Sequence, residues 1–285
     1  MITVVGGTGR LGRLVCARLV ADGRPVRVVG RRMPSTPVPD AEFVAADVRA
    51  GETLAPALAD SSVVVSAVHG MDPNAGESPS DVDRDGNRNL IGAARAVGAA
   101  VVLVSVIGAR PDHPIELFRM KAAAEAGLRD GGGDPPDWTI VRASAFAEMW
   151  LDLFRSTAGA SGVPRVLGPG RNPVNFVSVD DVAVAVARAC VDPGLRGRTI
   201  EVAGEDLSET DLAALVTPPG RRPGHVPAAA VWALGSVLRP FRPSLARVAR
   251  QTLTMERVPL ATDPGPGHAE HPWLPLTPIR SLVQM

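Results

Sequence analysis

The sequence predicts an α/β protein built on a doubly wound parallel sheet, and three observations carry that expectation. Short β-branched runs alternate with stretches of helical periodicity across the amino-terminal part of the chain, the order that builds a parallel sheet with helices on both faces. The run SVVVSAV at residues 62–68 is almost wholly apolar, as a strand covered on both sides should be. The first run, ITVV at residues 2–5, ends in the glycine-rich GGTGRLG of residues 6–12, after which Leu11, Leu14, Val15 and Leu19 fall on one helical stripe.

The glycines therefore fill a strand-to-helix turn, where free backbone N–H groups at the positive end of a helix can hold a dinucleotide pyrophosphate. Gly6 suits the tight turn, Gly9 lets the backbone approach phosphate oxygens, and Gly12 lets the helix pack closely on the sheet. Thr8, Arg10 and Leu11 belong to the same turn and are assigned with it.

The second strand, residues 24–30, runs into Arg31 and Arg32. A cofactor without a 2′-phosphate is usually met at this point by Asp or Glu bonded to ribose hydroxyls. Paired arginines favour NADP(H) over NAD(H), because a guanidinium binds phosphate through two parallel hydrogen bonds; the competing reading is a solvated basic turn. The third strand, EFVAAD at residues 42–47, places Asp47 and Val48 at its end, where Asp47 either accepts from an adenine amino group or caps the turn before a helix at 52–60. The fourth strand ends in Ala67 and Val68, which would flank the cofactor's ribose and pyrophosphate, and in His69, a rim residue of the substrate pocket rather than a catalyst.

Residues 70–80 are rich in turn formers and read as a lid loop at the ligand-bearing strand ends. A helix at 81–97, a strand at 100–105, a helix at 115–129 carrying Lys121, a flexible connection at 130–136 and a strand at 137–142 follow. The helical stretch 145–155 holds many of the chain's few aromatics, and its apolar stripe reads either as core or as a substrate wall that includes Phe146 and Met149. A strand at 175–179, a helix at 180–190, a strand at 198–203 and a capping box at 208–211 come next. Beyond Thr217 proline recurs around two helices near 228–238 and 244–256, and the end of the chain lacks periodicity.

Composition narrows the function. The 30 basic and 30 acidic residues cancel, which leaves no overall footprint for nucleic acid or an anionic membrane. With a strand beginning at residue 2 and no long apolar run, a cytoplasmic protein is expected. Cys16 and Cys190 sit in apolar helical contexts and read as buried free thiols. His268 and His271 lack partner ligands at a recognisable spacing, so no metal site is assigned. The expected partners are a small-molecule substrate and, in a homodimer, a second copy of the chain.

Taken together, GGTGRLG at 6–12, Asp47-Val48, VLVSVIG at 102–108, Lys121 with the following AAAE, WTIVR at 138–142 and FVSVDDV at 176–182 resemble the atypical short-chain dehydrogenase/reductase proteins, most of all the NmrA-like and isoflavone-reductase-like NAD(P)-binding ones. The resemblance runs from residue 1 to about 205. It implies a Rossmann-type domain at 1–150 to which 174–204 return, and a small carboxy-terminal substrate domain from 151–173 and 205–285. It also implies a nicotinamide held near Lys121 and the segment after Arg142.

One departure bears on chemistry. The larger superfamily reduces carbonyls with a Tyr-x-x-x-Lys pair and a strand-end serine, the phenol donating a proton to the developing alkoxide. This chain has no tyrosine: Leu117 stands in that position four residues before Lys121, and Ile107 stands where the serine is usual. Two functions remain. One is reduction of a quinone or enone by NADPH, with Lys121 as the catalytic residue; the other is a non-catalytic NAD(P)-binding sensor in which Lys121 holds ribose hydroxyls. His113 and Glu116 read as solvent-exposed loop residues.

Overall fold

The computed structural model describes residues 1–71, 76–131, 137–238 and 240–283. Parts of the expected lid loop (72–75) and of the glycine-rich connection (132–136) lie outside them. The chain forms two compact units: Met1–Gly70, Ser78–Ala143 and Val179–Val202 make the first, and Met71–Glu77, Ser144–Ser178 and Ala203–Met285 the second.

In chain order the elements of the first unit begin with β1 (Ile2–Val5), α1 (Arg10–Ala21), β2 (Val26–Gly30), β3 (Glu42–Ala45), a short α2 (Leu54–Ala57) and β4 (Val63–Ser66). A π-helical turn, Ser80–Gly86, then runs into α3 (Asn87–Ala96), followed by β5 (Ala100–Val106), α4 (Glu116–Asp130) and β6 (Trp138–Ala143). The second unit interrupts with β7 (Ala145–Phe146), α5 (Ala147–Thr157), β8 (Arg165–Leu167) and β9 (Pro173–Val177). The chain returns to the first unit for α6 (Val179–Val191) and β10 (Thr199–Val202). It ends in the second with β11 (Glu205–Ser208), α7 (Glu209–Leu215), β12 (Gly224–Val226), α8 (Ala228–Leu238), α9 (Pro243–Met255) and α10 (Gly265–Glu270).

The first unit is a seven-stranded parallel sheet in the order β10-β6-β5-β4-β1-β2-β3. The fold is the Rossmann-like doubly wound sheet that the strand–helix alternation predicts. Strands β1, β2 and β4 are buried along their length, which is why they read as Val-rich runs rather than as alternation, whereas the edge strand β3 is exposed at both ends. One face packs Val5, Val29, Val64, Leu103 and Ile140 against Leu54, Leu90, Ile91 and Leu128 from the helices. Helices α1 and α6 pack against each other, and Arg18 pairs with Asp180 across them. Cys16 and Cys190 are buried free thiols on these two helices, and burial pushes both up to about 12.

The second unit holds a three-stranded sheet, β11-β9-β7, and a parallel pair, β12-β8. Leu151 and Phe154 of α5, Val166, Phe176 and Leu212 fill its core, with Trp150 edge-on to Phe176 at 5.9 Å between ring centroids. The chain crosses between units at 143–144 and 178–179, not at 150 and 173–174 as the sequence pattern implies. The cause is pairing: β7 and β9 find each other in the second unit, so residues 145–146 are a strand and Pro173–Val177 does not return to the large sheet. The expected helix at 52–60 shortens to a 3-10 turn at Gly51–Thr53 and the single turn of α2, which contains Pro56.

Candidate dinucleotide-binding site

The strand order reverses at β1, with β2 on one side and β4 on the other, so the carboxyl ends of β1 and β4 open the crevice where such sheets take ligands. The turn that leaves β1 is shaped by two glycines. Gly6 has φ of 83°, and a Cβ on it would lie 2.6 Å from the Ala67 carbonyl oxygen at the end of β4. A Cβ on Gly12 would lie 2.2 Å from the Gly6 oxygen and 2.6 Å from Gly7 Cα, so only glycine lets α1 sit this close to the turn. Gly9 is exposed and is the N-cap of α1 in extended conformation; no side chain caps this helix and no acidic residue lies in its first turn. Arg10 is exposed and Leu11 buried in that turn, and Thr8 packs against the end of β2, where a Cβ on Gly30 would come within 2.7 Å of its Cγ2. An uncapped helix terminus behind a turn with no Cβ in the way fits a phosphate group, whose oxygens would accept from the first-turn N–H groups.

Ala67, Val68 and His69 leave β4 beside this turn, the first two half-buried and His69 exposed. Arg31 and Arg32 are exposed at the end of β2. Asp47 is occupied: the Arg49 backbone N–H and its Nε donate to Oδ1, both at 3.0 Å, and Arg49 Nη2 donates to Oδ2 at 2.6 Å. The Arg49 hydrogen bond, aided by the charge of Arg31, holds the Asp47 carboxyl below the usual carboxylate range. The turn-capping role of Asp47 is therefore visible in the geometry. Val48 is buried, and its carbonyl accepts from Asn89 Nδ2 at 2.9 Å.

Lys121 is buried on α4, and its ammonium donates to the Val68 carbonyl at 3.0 Å and the Val104 carbonyl at 2.9 Å and forms an ion pair with Asp83 Oδ1 at 3.0 Å. Two of the three ammonium N–H bonds are thus matched by carbonyls, while Asp83 Oδ1 accepts no hydrogen bond and balances the charge as an ion pair. Asp83 is itself fully buried and takes the Gly70 N–H on Oδ2 at 2.8 Å. Beside it Asn87 Oδ1 accepts from Ser66 Oγ at 2.6 Å, and Asn87 Nδ2 donates to the Asp83 carbonyl at 2.8 Å. This network ties the ends of β4 and β5 to the π-helical turn. Sequence reasoning passed over Asp83 and Asn87, although both continue the buried stripe of Leu90, Ile91 and Ala94; polar residues on an apolar stripe were the available signal.

A second buried cluster sits nearby on α4. Ser105 Oγ donates to Glu125 Oε1 at 2.6 Å, and Arg142 spans both Glu125 oxygens at 2.9 and 2.7 Å. Burial pushes the Glu125 carboxyl up, but the Arg142 and Ser105 hydrogen bonds outweigh it and hold the group below its ordinary range. The strand-end serine is thus committed to Glu125. His113 is not a solvent-exposed loop residue: it is buried, stacks on Phe118 at 4.1 Å between ring centroids, and its Nδ1 accepts from the Ile115 N–H at 3.1 Å. Burial, with the charge of Arg110, lowers its pKa below the usual histidine range and so favours the neutral imidazole.

In the second unit, the α5 stripe divides. Ala147, Leu151 and Phe154 face the core, Phe146 is half-buried at the helix start, and Met149 and Leu153 are 46% and 44% exposed. His268 is half-buried, its Nδ1 2.9 Å from the Pro264 carbonyl oxygen, and His271 is buried against Trp273. Among the described residues no three metal-ligating side chains come together.

Sheet order, glycine cradle and uncapped helix define a dinucleotide-binding α/β protein. The chain belongs to the NAD(P)H-binding family, which it matches over residues 6–193. It is 30% identical over 210 residues to the (4-alkanoyl-5-oxo-2,5-dihydrofuran-3-yl)methyl phosphate reductase of Streptomyces griseus, covering 72% of this chain and 68% of that one. Its fold is similar to that of the Citrobacter sp. triphenylmethane reductase complexed with NADP(H), with a TM-score of 0.77, 19% identity and coverage of 100% and 99% of the two chains. It is equally similar to the NADPH-dependent quinone oxidoreductase of Escherichia coli complexed with NADPH, with a TM-score of 0.75, 20% identity and the same coverage. These likenesses match the resemblance to atypical short-chain reductases that the sequence motifs carry.

Proposed function

We propose that the protein is an NADPH-dependent reductase of a small conjugated acceptor such as a quinone or an enone. The observation that carries this reading is the pairing of a formed pyrophosphate cradle with the lack of a hydroxyl proton donor at the Tyr position: Leu117 has no hydroxyl, and Lys121 is buried, bonded to the Val68 and Val104 carbonyls and ion-paired with Asp83. The bound nicotinamide would supply hydride. An acceptor that leaves a hydroquinone or enolate anion can take its proton from water, whereas a simple ketone leaves a strongly basic alkoxide and needs a positioned acid.

In this reading the residues of the first unit bind and orient. The first turn of α1, with Gly6, Thr8, Gly9, Arg10, Leu11 and Gly12, holds the pyrophosphate; Arg31 and Arg32 meet the 2′-phosphate; Ala67 and Val68 line the path of the chain beside it. Lys121 fixes the carbonyls of Val68 and Val104, so it is a positioning residue for the strand ends. His69, Phe146 and Met149 are the substrate-side candidates. Asp47, held by Arg49, shapes the adenine end of the site.

The test is NADPH oxidation with a panel of quinones, enones and simple ketones. Turnover with the first two classes and none with ketones supports the reading; ketone reduction at comparable rates would overturn it. The buried, ion-paired ammonium of Lys121 also favours a second reading, a redox sensor that binds NADPH without turning it over. Tight NADPH binding with no oxidation across the whole panel would select it.

A further inference from the structure

The zero net charge of the chain is the sum of two unequal parts. Residues 212–255 contain no Asp or Glu and six arginines, at 221, 222, 239, 242, 247 and 250. The remainder therefore carries 24 basic against 30 acidic residues. Within this acid-free segment lies α8, which has no ionisable residue at all. Val231 and Gly235 alone are its buried residues, and Gly235 is where α9 comes close: a Cβ there would lie 3.2 Å from the Ala249 Cβ. Other side chains of the helix, and Phe241 beyond it, face outward, with Trp232 65%, Leu234 57%, Val237 66% and Phe241 80% exposed. Among the described residues these are four of the five most exposed large apolar side chains, on one short stretch.

We infer that α8 and the start of α9 dock on an anionic lipid surface, with Trp232, Leu234, Val237 and Phe241 entering the headgroup layer and the surrounding arginines meeting lipid phosphates. An exposed aromatic and aliphatic helix surface flanked by Arg221 and Arg222 before it and Arg242 after it pairs an apolar contact area with cations at its ends, the two attractions an anionic lipid surface offers. Charge complementarity selects this occupant over a second copy. A two-fold contact through the face would set two acid-free, six-arginine segments against each other. Among the described residues no helix is long and apolar enough to cross a membrane, so the contact lies along the surface. This inference does not depend on the redox reading, since it uses only residues of the second unit.

The experiment is co-flotation of the full chain with phosphatidylcholine vesicles, with and without about 30 mol % phosphatidylglycerol, at low and high salt. Binding is expected to the anionic vesicles and to fall as salt rises. Arg242→Gln/Arg250→Gln should weaken it roughly 25-fold, at about fivefold per arginine. Trp232→Ser/Phe241→Ser should weaken it about tenfold or more. NADPH titration of each variant checks that the fold is retained. Failure to float, equal binding to neutral vesicles, or unchanged binding by both variants would overturn the inference. A concentration-dependent dimer abolished by Trp232→Ser/Phe241→Ser, with no vesicle binding, would assign the face to a second copy instead.

Discussion

Replacing Gly12 by alanine sets two effects of known sign against each other. In a helix interior alanine is favoured over glycine by about 1 kcal/mol. At this position the added Cβ would stand 2.2 Å from the Gly6 oxygen, about 1.2 Å short of the 3.4 Å at which ordinary contact begins. Gly6 cannot yield: its N–H is bonded to the Val29 carbonyl at 3.0 Å and its oxygen accepts from Gly9 at 3.0 Å. The amino end of α1 must therefore move away from the sheet, against the packing of Leu11, Val15 and Leu19. Overpacking of this kind costs about 1–3 kcal/mol, so the net expectation is a loss of roughly 0–2 kcal/mol and a melting temperature lower by up to several degrees. Because the same turn carries the phosphate-facing N–H groups, NADPH affinity should fall about tenfold or more. Gly92→Ala in α3 is the control: nothing lies within 4 Å of its Cβ, and this variant should be stabilised by about 0.5–1 kcal/mol with NADPH binding unchanged. Thermal melts and NADPH fluorescence titrations read both. A Gly12→Ala protein as stable as the parent, binding NADPH equally well, would refute the cradle geometry.

Three further outcomes follow from the structure. Asp83→Ala leaves the buried Lys121 ammonium without its counter-charge and should cost about 3–5 kcal/mol in urea unfolding, whereas the Asp83→Ala/Lys121→Met double variant should recover part of that loss; simple additivity would argue against the pair. Burial, together with the neighbouring Glu256 charge, pushes the Glu209 carboxyl from 4.5 to about 8. The folded state then binds the proton more tightly than the unfolded one, so this group lowers stability progressively as pH rises from 4.5 to about 8. Glu209→Gln removes that slope: it should match the parent near pH 4, and exceed it by an amount of order 3–5 kcal/mol above pH 8, as read from melts across that range. Arg31→Ala/Arg32→Ala should weaken NADPH about tenfold to a hundredfold while leaving NADH nearly unchanged, and equal losses for both cofactors would remove these residues from the 2′-phosphate site.

The fold and the cradle were legible in the amino-acid order because their signals are local. A parallel strand must be apolar on both faces, as at residues 62–68, and a tight phosphate turn needs glycine where a Cβ would collide, as at Gly6 and Gly12. The absence of tyrosine is equally local, and it removes one proton donor before any coordinates are considered. Tertiary structure decided what depends on distant partners. Only the fold brings Asp83 and two strand-end carbonyls around Lys121, Glu125 and Arg142 to Ser105, and Phe118 over His113. Pairing of β7 with β9 likewise moved the crossings between units, because strand partners are chosen across the sheet rather than along the chain. The sequence by itself determined that this protein cradles a dinucleotide; the tertiary structure decided that its lysine, Lys121, is buried against two strand-end carbonyls and ion-paired with Asp83, since these three separate segments close on it only when the sheet is formed.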